Sequence, residues 1–149
     1  AGAGGVLVIA TMLTDDDIEA LLEAARECGL FVLLEAFDAD DLRRMASLQG
    51  PAHAPESAPV LCGVNCRDLK TLAVDFGRFA ELAPHLPRGL KAVAESGIAG
   101  DDDIRAIAGL GYEVALIGST LMQSVEPEAA VVNLRAAGAA QITEAAVCS

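Results

Sequence analysis

Aromatic side chains are scarce in this chain: four Phe, one Tyr and no Trp among 149 residues, although 53% of residues are apolar. The core is therefore expected to be layered Val, Leu, Ile and Ala, in one domain of ordinary size. Positive charge is scarce as well. Ten Lys and Arg face 22 Asp and Glu, for a formal charge of −12. With no basic cluster or aromatic-basic run to offset it, nucleic acid and anionic membranes are poor partners. No run of about twenty apolar residues is present to span a bilayer, and the apolar start GGVLVIATML lacks the basic leader of a secretion signal. Residue 1 is Ala rather than Met, and the expectation of a cytoplasmic chain leans on the cysteines.

Those cysteines number four, Cys28, Cys62, Cys66 and Cys148, and read as reduced thiols rather than a disulfide framework. Cys62 and Cys66 suggest a metal pair at first sight. Within a strand, however, their even spacing turns both to the face opposite Asn65, toward packed helices, so core packing is the reading. Histidine is scarcer still. His53 falls in GPAHAPESAP, residues 50 to 59, a Pro- and Ala-rich surface loop, and His85 sits between Pro84 and Leu86 at a helix end; both read as solvated. No cluster of His, Cys and carboxylate has ligand spacing, so neither a metal nor a cofactor is expected.

The chain is rich instead in short aliphatic runs. GGVLVIA (the 5 to 11 region), LFVLLEAF (around 31 to 37), VLCGVN (60 to 65), LKAVAES (90 to 96) and VALIGS (114 to 119) read as strands, with helical spacing between them. DDDIEALLEAARECG places Ile18, Leu21, Leu22 and Ala25 on one stripe, with Thr14 as N-cap, Asp17 at the capping-box position and a stop at Gly29. DADDLRRMASLQ and DDDIRAIAGLG repeat that design. A weak internal repeat follows, in which a strand tip leads through a short loop into an acidic first turn. Those aspartates complement the helix dipole and are not read as a calcium site. The tail after Asn133 is Ala-rich and reads as helix, fraying over residues 137 to 149. Strand, loop, helix and strand in alternation require parallel pairing with right-handed crossovers.

Four of these runs end in residues that can do chemistry: Glu35, Asn65 with Arg67, Glu95 with Ser96, and Ser119. Parallel β/α folds gather their sites at the carboxyl ends of strands. A carboxylate ending an apolar strand is costly unless paired or used, because burial favours its neutral form. Glu35 and Glu95 both do so, and two such groups can be tuned apart into acid and base. The bland alternative is that they only bond helix N-termini or pair with Arg67; the combination with Asn65 favours function. In VLCGVNCRD, alternation puts Leu61, Gly63, Asn65 and Arg67 on one side. Gly97 and Gly118 supply loops whose N–H groups can approach a ligand, as in the phosphate sites after the last two strands of β/α barrels.

With LLEAFDADDL, GVNCRDLKTLAVD, KAVAESGI and ALIGSTLM in that order, the chain resembles the indole-3-glycerol-phosphate synthase family from about residue 3 to about 136. The resemblance implies an α/β fold, the carboxyl-terminal part of a (β/α)8 TIM barrel, with residues 1–149 supplying parallel strands four to eight. It implies a carboxy-lyase of tryptophan biosynthesis that closes and decarboxylates 1-(2-carboxyphenylamino)-1-deoxyribulose 5-phosphate. Glu35 would then be the general base and Asn65 would hold substrate at the ring-closing centre, with Arg67 an anchor beside it. Glu95 and Ser96 would line the strand-seven side, while Gly97, Gly118 and Ser119 cradle the phosphate. Phe37 stands where many members carry His, and Cys66 where they carry Asn or Ser.

The family's catalytic lysines lie on earlier strands, and Lys70 and Lys91 match neither. A barrel of this kind needs roughly 250 residues, so this half is expected to be inactive alone. Its partners would be the phosphorylated substrate and either the missing amino-terminal half-barrel or a second copy, since open strands expose edges. Two other readings stay open: a sister phosphate-binding barrel such as phosphoribosylanthranilate isomerase, and a non-catalytic α/β module that binds a sugar phosphate.

Overall fold

Each of the five aliphatic runs forms a strand in the computed structural model, which describes residues 2–48, 59–69 and 71–147. The strands are β1 (Gly5–Ile9), β2 (Phe31–Ala36), β3 (Val60–Asn65), β4 (Lys91–Glu95) and β5 (Val114–Leu116). All pair in parallel, in the order β1-β2-β3-β4-β5. Helices follow: α1 (Asp15–Glu27), α2 (Ala39–Leu48), α3 (Arg78–Leu82), α4 (Asp101–Gly109), α5 (Ser119–Gln123) and α6 (Pro127–Val147). A strand order that never reverses has no switch point, which separates this sheet from a doubly wound one and matches an arc of a barrel. The β5 run is shorter than its sequence suggests, because Gly118 ends it and Ser119 opens α5.

Helix α1 starts and stops where its sequence says. The Thr14 hydroxyl accepts from the Asp17 N–H, and the Asp17 carboxylate accepts from the Thr14 N–H, each at 3.2 Å. Gly29 ends the helix at φ +65. Its N–H donates to Arg26 and the Leu30 N–H to Ala25, which satisfies the last carbonyls. The stripe differs at one place. Ile18 and Ala25 are buried and Leu22 is half-buried, but Leu21 is exposed. It lies toward the outer edge of β1, where among the described residues no further β/α unit packs, and lines an apolar groove of about 640 Å³ with Val6, Met12 and Leu30.

Strand alternation divides the sheet into two unlike faces. Val8, Val32, Leu34, Cys62, Val64, Ala92 and Ala94 join Ile18, Leu42, Met45, Phe79, Ile104 and Ile107 from the helices in one buried core. Three of the five aromatics gather there: Phe79 meets Phe76 and Tyr112 edge-on at 5.2 and 5.3 Å, and the Tyr112 hydroxyl donates to the Phe79 carbonyl. Both Cys62 and Cys66 are fully buried on this side, as alternation requires. The three described cysteines are free.

On the opposite face the register sets Leu7 beside Leu33, Glu35 beside Gly63 and Val93, and Asn65 beside Glu95 and Leu116. Among the described residues that face carries no helix layer, and Leu7, Phe31, Val114 and Leu116 are exposed on it.

The Ala-rich tail is a single helix that packs on α4, with Leu134 and Ala137 buried. His85 ends a short 3-10 turn and is exposed. Residues 50–58, with His53, lie outside the described residues, as do Lys70 and Cys148. Among the described residues no helix is long and apolar enough to cross a membrane.

Candidate active site

Three consecutive strands each bring one polar side chain to the centre of the helix-free face, at their carboxyl ends. Glu35 on β2 is 5% exposed, Asn65 on β3 is 9% and Glu95 on β4 is 3%. The Asn65 side-chain oxygen accepts the Arg67 N–H at 2.9 Å, which turns its amide nitrogen toward Glu35, where it donates to Oε1 at 3.0 Å. Asn65 thus bridges the end of β3 and the carboxylate of β2. The carboxyls of Glu35 and Glu95, whose convergence the sequence leaves open, lie close enough for the Glu35 charge to act on Glu95.

Burial pushes the Glu95 carboxyl up to about 7, with the neighbouring Glu35 charge and a hydrogen bond to Glu35 acting in the same direction. Two ionised carboxylates have only acceptors to offer each other. Accordingly Glu95 Oε1 is buried with no hydrogen-bond partner among the described residues, an orphan that a proton on this carboxyl would satisfy. A Glu95 carboxyl raised to about 7 beside Glu35 fits the separation of acid and base roles between two carboxyls.

Arg67 behaves differently from its expectation. The strand ends at Asn65, and the chain folds back through an antiparallel bridge between Arg67 and Val74. Alternation therefore no longer governs residue 67, and its guanidinium donates to the Leu72 carbonyl at 3.0 Å. No ion pair joins it to Glu35 or Glu95 among the described residues.

Ser96 and Gly97 follow Glu95 with φ of +68 and +70. Glycine is required at the second position twice over, since a Cβ there would meet Val74 at 2.7 Å and the Cys66 sulfur at 2.8 Å. Ser96 holds the left-handed conformation with a side chain, a strain that clusters at functional sites. Gly118 and Ser119 are exposed at the start of α5. The Thr120 hydroxyl donates to the Ile98 carbonyl at 2.5 Å, tying the loops after β4 and β5 together.

Sequence reasoning missed two features. Asp41, read only as a helix-dipole aspartate, is 4% exposed. It accepts from the Phe37 N–H at 3.0 Å and from the Thr11 hydroxyl, and it pairs with Arg44, which also donates to the Ala10 and Leu13 carbonyls. This network clamps the loop after β1 to the tip of β2, two residues from Glu35. The second feature is Gly63, over which the Glu95 side chain lies. Among the described residues no group of three or more His, Cys, Asp or Glu is placed to hold a metal ion.

Solved structures share the fold. The chain superposes on 3-hexulose-6-phosphate synthase from Salmonella typhimurium with a TM-score of 0.69 at 19% identity, covering 94% of this chain and 64% of that one. For thiamine phosphate pyrophosphorylase from Pyrococcus furiosus the TM-score is 0.67 at 16% identity, with 94% and 61% covered. These neighbours are TIM-barrel-like, and the five-stranded sheet is a partial barrel. In sequence, the family model for indole-3-glycerol phosphate synthase matches residues 1–134. Indole-3-glycerol phosphate synthase 1 of Streptomyces coelicolor is 39% identical over 137 residues, covering 92% of this chain and 48% of the relative. The Nocardioides sp. synthase is 40% identical over 131 residues, covering 88% and 47%. The chain spans about half the length of the curated relatives it matches. At that identity over most of its residues, the chain belongs to the indole-3-glycerol phosphate synthase family.

Proposed function

We propose that this chain is the carboxyl-terminal half of an indole-3-glycerol phosphate synthase barrel, contributing the general base and part of the substrate site. The reaction is ring closure and decarboxylation of 1-(2-carboxyphenylamino)-1-deoxyribulose 5-phosphate, with loss of carbon dioxide and water. The observation that carries this reading is the buried Glu35, Asn65 and Glu95 cluster at the carboxyl ends of three adjacent strands, in a chain of that family.

In this proposal Glu35 removes the late proton after ring closure. Asn65 fixes the Glu35 carboxylate and holds substrate nearby, which its double hydrogen bonding supports. Glu95, raised to about 7, keeps its proton to higher pH than an ordinary carboxyl and so crowds the base with less charge. Ser96 lines the same side. Gly97, Gly118 and Ser119 receive the phosphate, a role supported by the tie between their two loops and by the place of such sites in β/α barrels. Arg67 is a rim anchor that would reach the ligand only by leaving the Leu72 carbonyl.

The general acid and most of the positive charge for an anionic substrate belong to the earlier strands. The half alone is therefore inactive, and its partner is the rest of the barrel. The open edge of β1 and the exposed apolar residues of the helix-free face support that partner. A cytoplasmic location is part of the proposal, consistent with free thiols at Cys28, Cys62 and Cys66.

The test is the fluorescence of indole-glycerol phosphate formed from the ribulose phosphate substrate, by the chain alone and with a polypeptide supplying the remaining strands. Turnover should arise only in the mixture and be lost with Glu35→Gln. A reconstituted barrel that binds substrate without turnover would sink the reading.

A further inference from the structure

We propose that Gly63 is a positioning residue: by leaving the middle of three strands without a side chain, it lets Glu95 of β4 lie across β3 and meet Glu35 of β2 as one acid–base unit. The inference rests on the function proposed above for these two carboxyls.

The geometry follows from register. Glu35 pairs with Gly63, while Glu95 pairs with Asn65, two residues further along β3. Neighbouring strands run about 4.8 Å apart, so β2 and β4 are separated by roughly 10 Å with β3 between them. Two glutamate side chains can meet across that gap only over a bare backbone. Glu95 accordingly leans back over the pair ahead of its own. A Cβ built on Gly63 would lie 1.9 Å from Glu95 Oε1 and 3.1 Å from its carboxyl carbon, with Leu33 Cδ1 also at 3.1 Å. The first distance is impossible for real atoms, so any side chain at residue 63 expels the Glu95 carboxyl from this seat.

Backbone demands do not explain this glycine. It sits inside a regular strand, paired on both sides, and is absent from the positive-φ positions. Glycine weakens a strand interior, and close approach by another group is the usual reason to find one there. The titratable groups facing Glu95 are Glu35 from β2 and, through the sheet, Cys62 from β3. Its neighbour on β5 is the uncharged Leu116. Once expelled, Glu95 would ionise in water, and Glu35 would keep Asn65 but lose its proton-sharing neighbour.

The test is a carbon-13 NMR titration of the chain with labelled glutamate carboxyls, the Glu95 signal being assigned by its loss in Glu95→Gln. It should titrate at about 7 in the natural sequence and move toward the ordinary 4.5 in Gly63→Ala. An unchanged Glu95 titration in folded Gly63→Ala overturns the proposal. If that variant does not fold, the same idea is read in a double-mutant cycle. Ala at 63 should then lower the melting temperature or abolish folding beside Glu95, and be tolerated beside Glu95→Ala; equal losses in both backgrounds overturn the proposal. Neither readout needs substrate. A barrel without lyase activity would therefore defeat the proposed function while leaving the role of Gly63 to stand or fall on the titration.

Discussion

The two faces of one sheet differ sharply although their residues alternate along the same strands. Toward the helices, Val32, Cys62, Val64 and Ala94 are completely buried; on the other side Leu7, Phe31 and Leu116 are 43–51% exposed. The helix side is sealed by aliphatic and aromatic packing, and a polar group there needs a dedicated partner, as the Tyr112 hydroxyl has in the Phe79 carbonyl. The opposite side hides Glu35, Asn65 and Glu95 only at its centre, and largely behind one another. Burial by packing makes a core. Burial among polar neighbours instead makes a site whose charge state can be set by the fold.

The comparison can be broken from either side. On the site face, Glu35→Gln in the reconstituted barrel should lower kcat by about 10²- to 10⁴-fold, the usual worth of a general base. Its melting temperature should hardly change, since a glutamine oxygen can still accept from Asn65; steady-state kinetics beside thermal melts would check both parts.

On the core face, Phe79→Ala should cost about 3–5 kcal/mol of stability by denaturant unfolding, because its ring is fully buried between Phe76 and Tyr112. Leu116→Ala, on the half-exposed side, should stay within about 1 kcal/mol. Equal losses would mean that the two faces are not distinct.

The sign of the pH dependence sharpens the contrast further. The Glu95 carboxyl is raised from 4.5 to about 7 in the folded chain. Below 4.5 both folded and unfolded forms hold the proton, and the associated stability is fully present. As pH rises toward and through about 7 that stability is lost, because the unfolded chain ionises first. Urea midpoints should fall across this window, and Glu95→Gln should flatten the fall.

The smallest effect is expected at Ser96→Gly. Relief of the left-handed strain should raise stability by about 1 kcal/mol, measured as the urea midpoint multiplied by its slope.

Much of this was legible along the chain. The strands are aliphatic runs bounded by polar tips, and a cap such as Thr14 with Asp17 is a local agreement among four residues. Cys62 and Cys66 could be assigned to the core from spacing alone, because alternation is exact within a strand. The strand itself ends at Asn65: just past it Cys66 still joins the core, while Arg67 bridges back to Val74, so alternation no longer fixes its side. Leu21 misled because helical periodicity says which residues share a face, and not whether a neighbouring element covers all of it. Gly63 and Asp41 were hidden for a related reason. Their importance arises from residues 32 positions later and 30 positions earlier, Glu95 and Thr11, which meet them only through register and packing.

The unbroken strand order bears finally on how the chain reaches its fold. Every strand's sheet partners are the strands just before and just after it in sequence, so each loop to be closed spans a single β/α unit. The entropic cost of closure grows only slowly with loop length, so each such crossover adds a modest cost. During synthesis each of these units can dock on the strand that emerged just before it. Whatever the route, the two carboxyls can meet only once β4 stands beside β3 with Glu95 lying over Gly63.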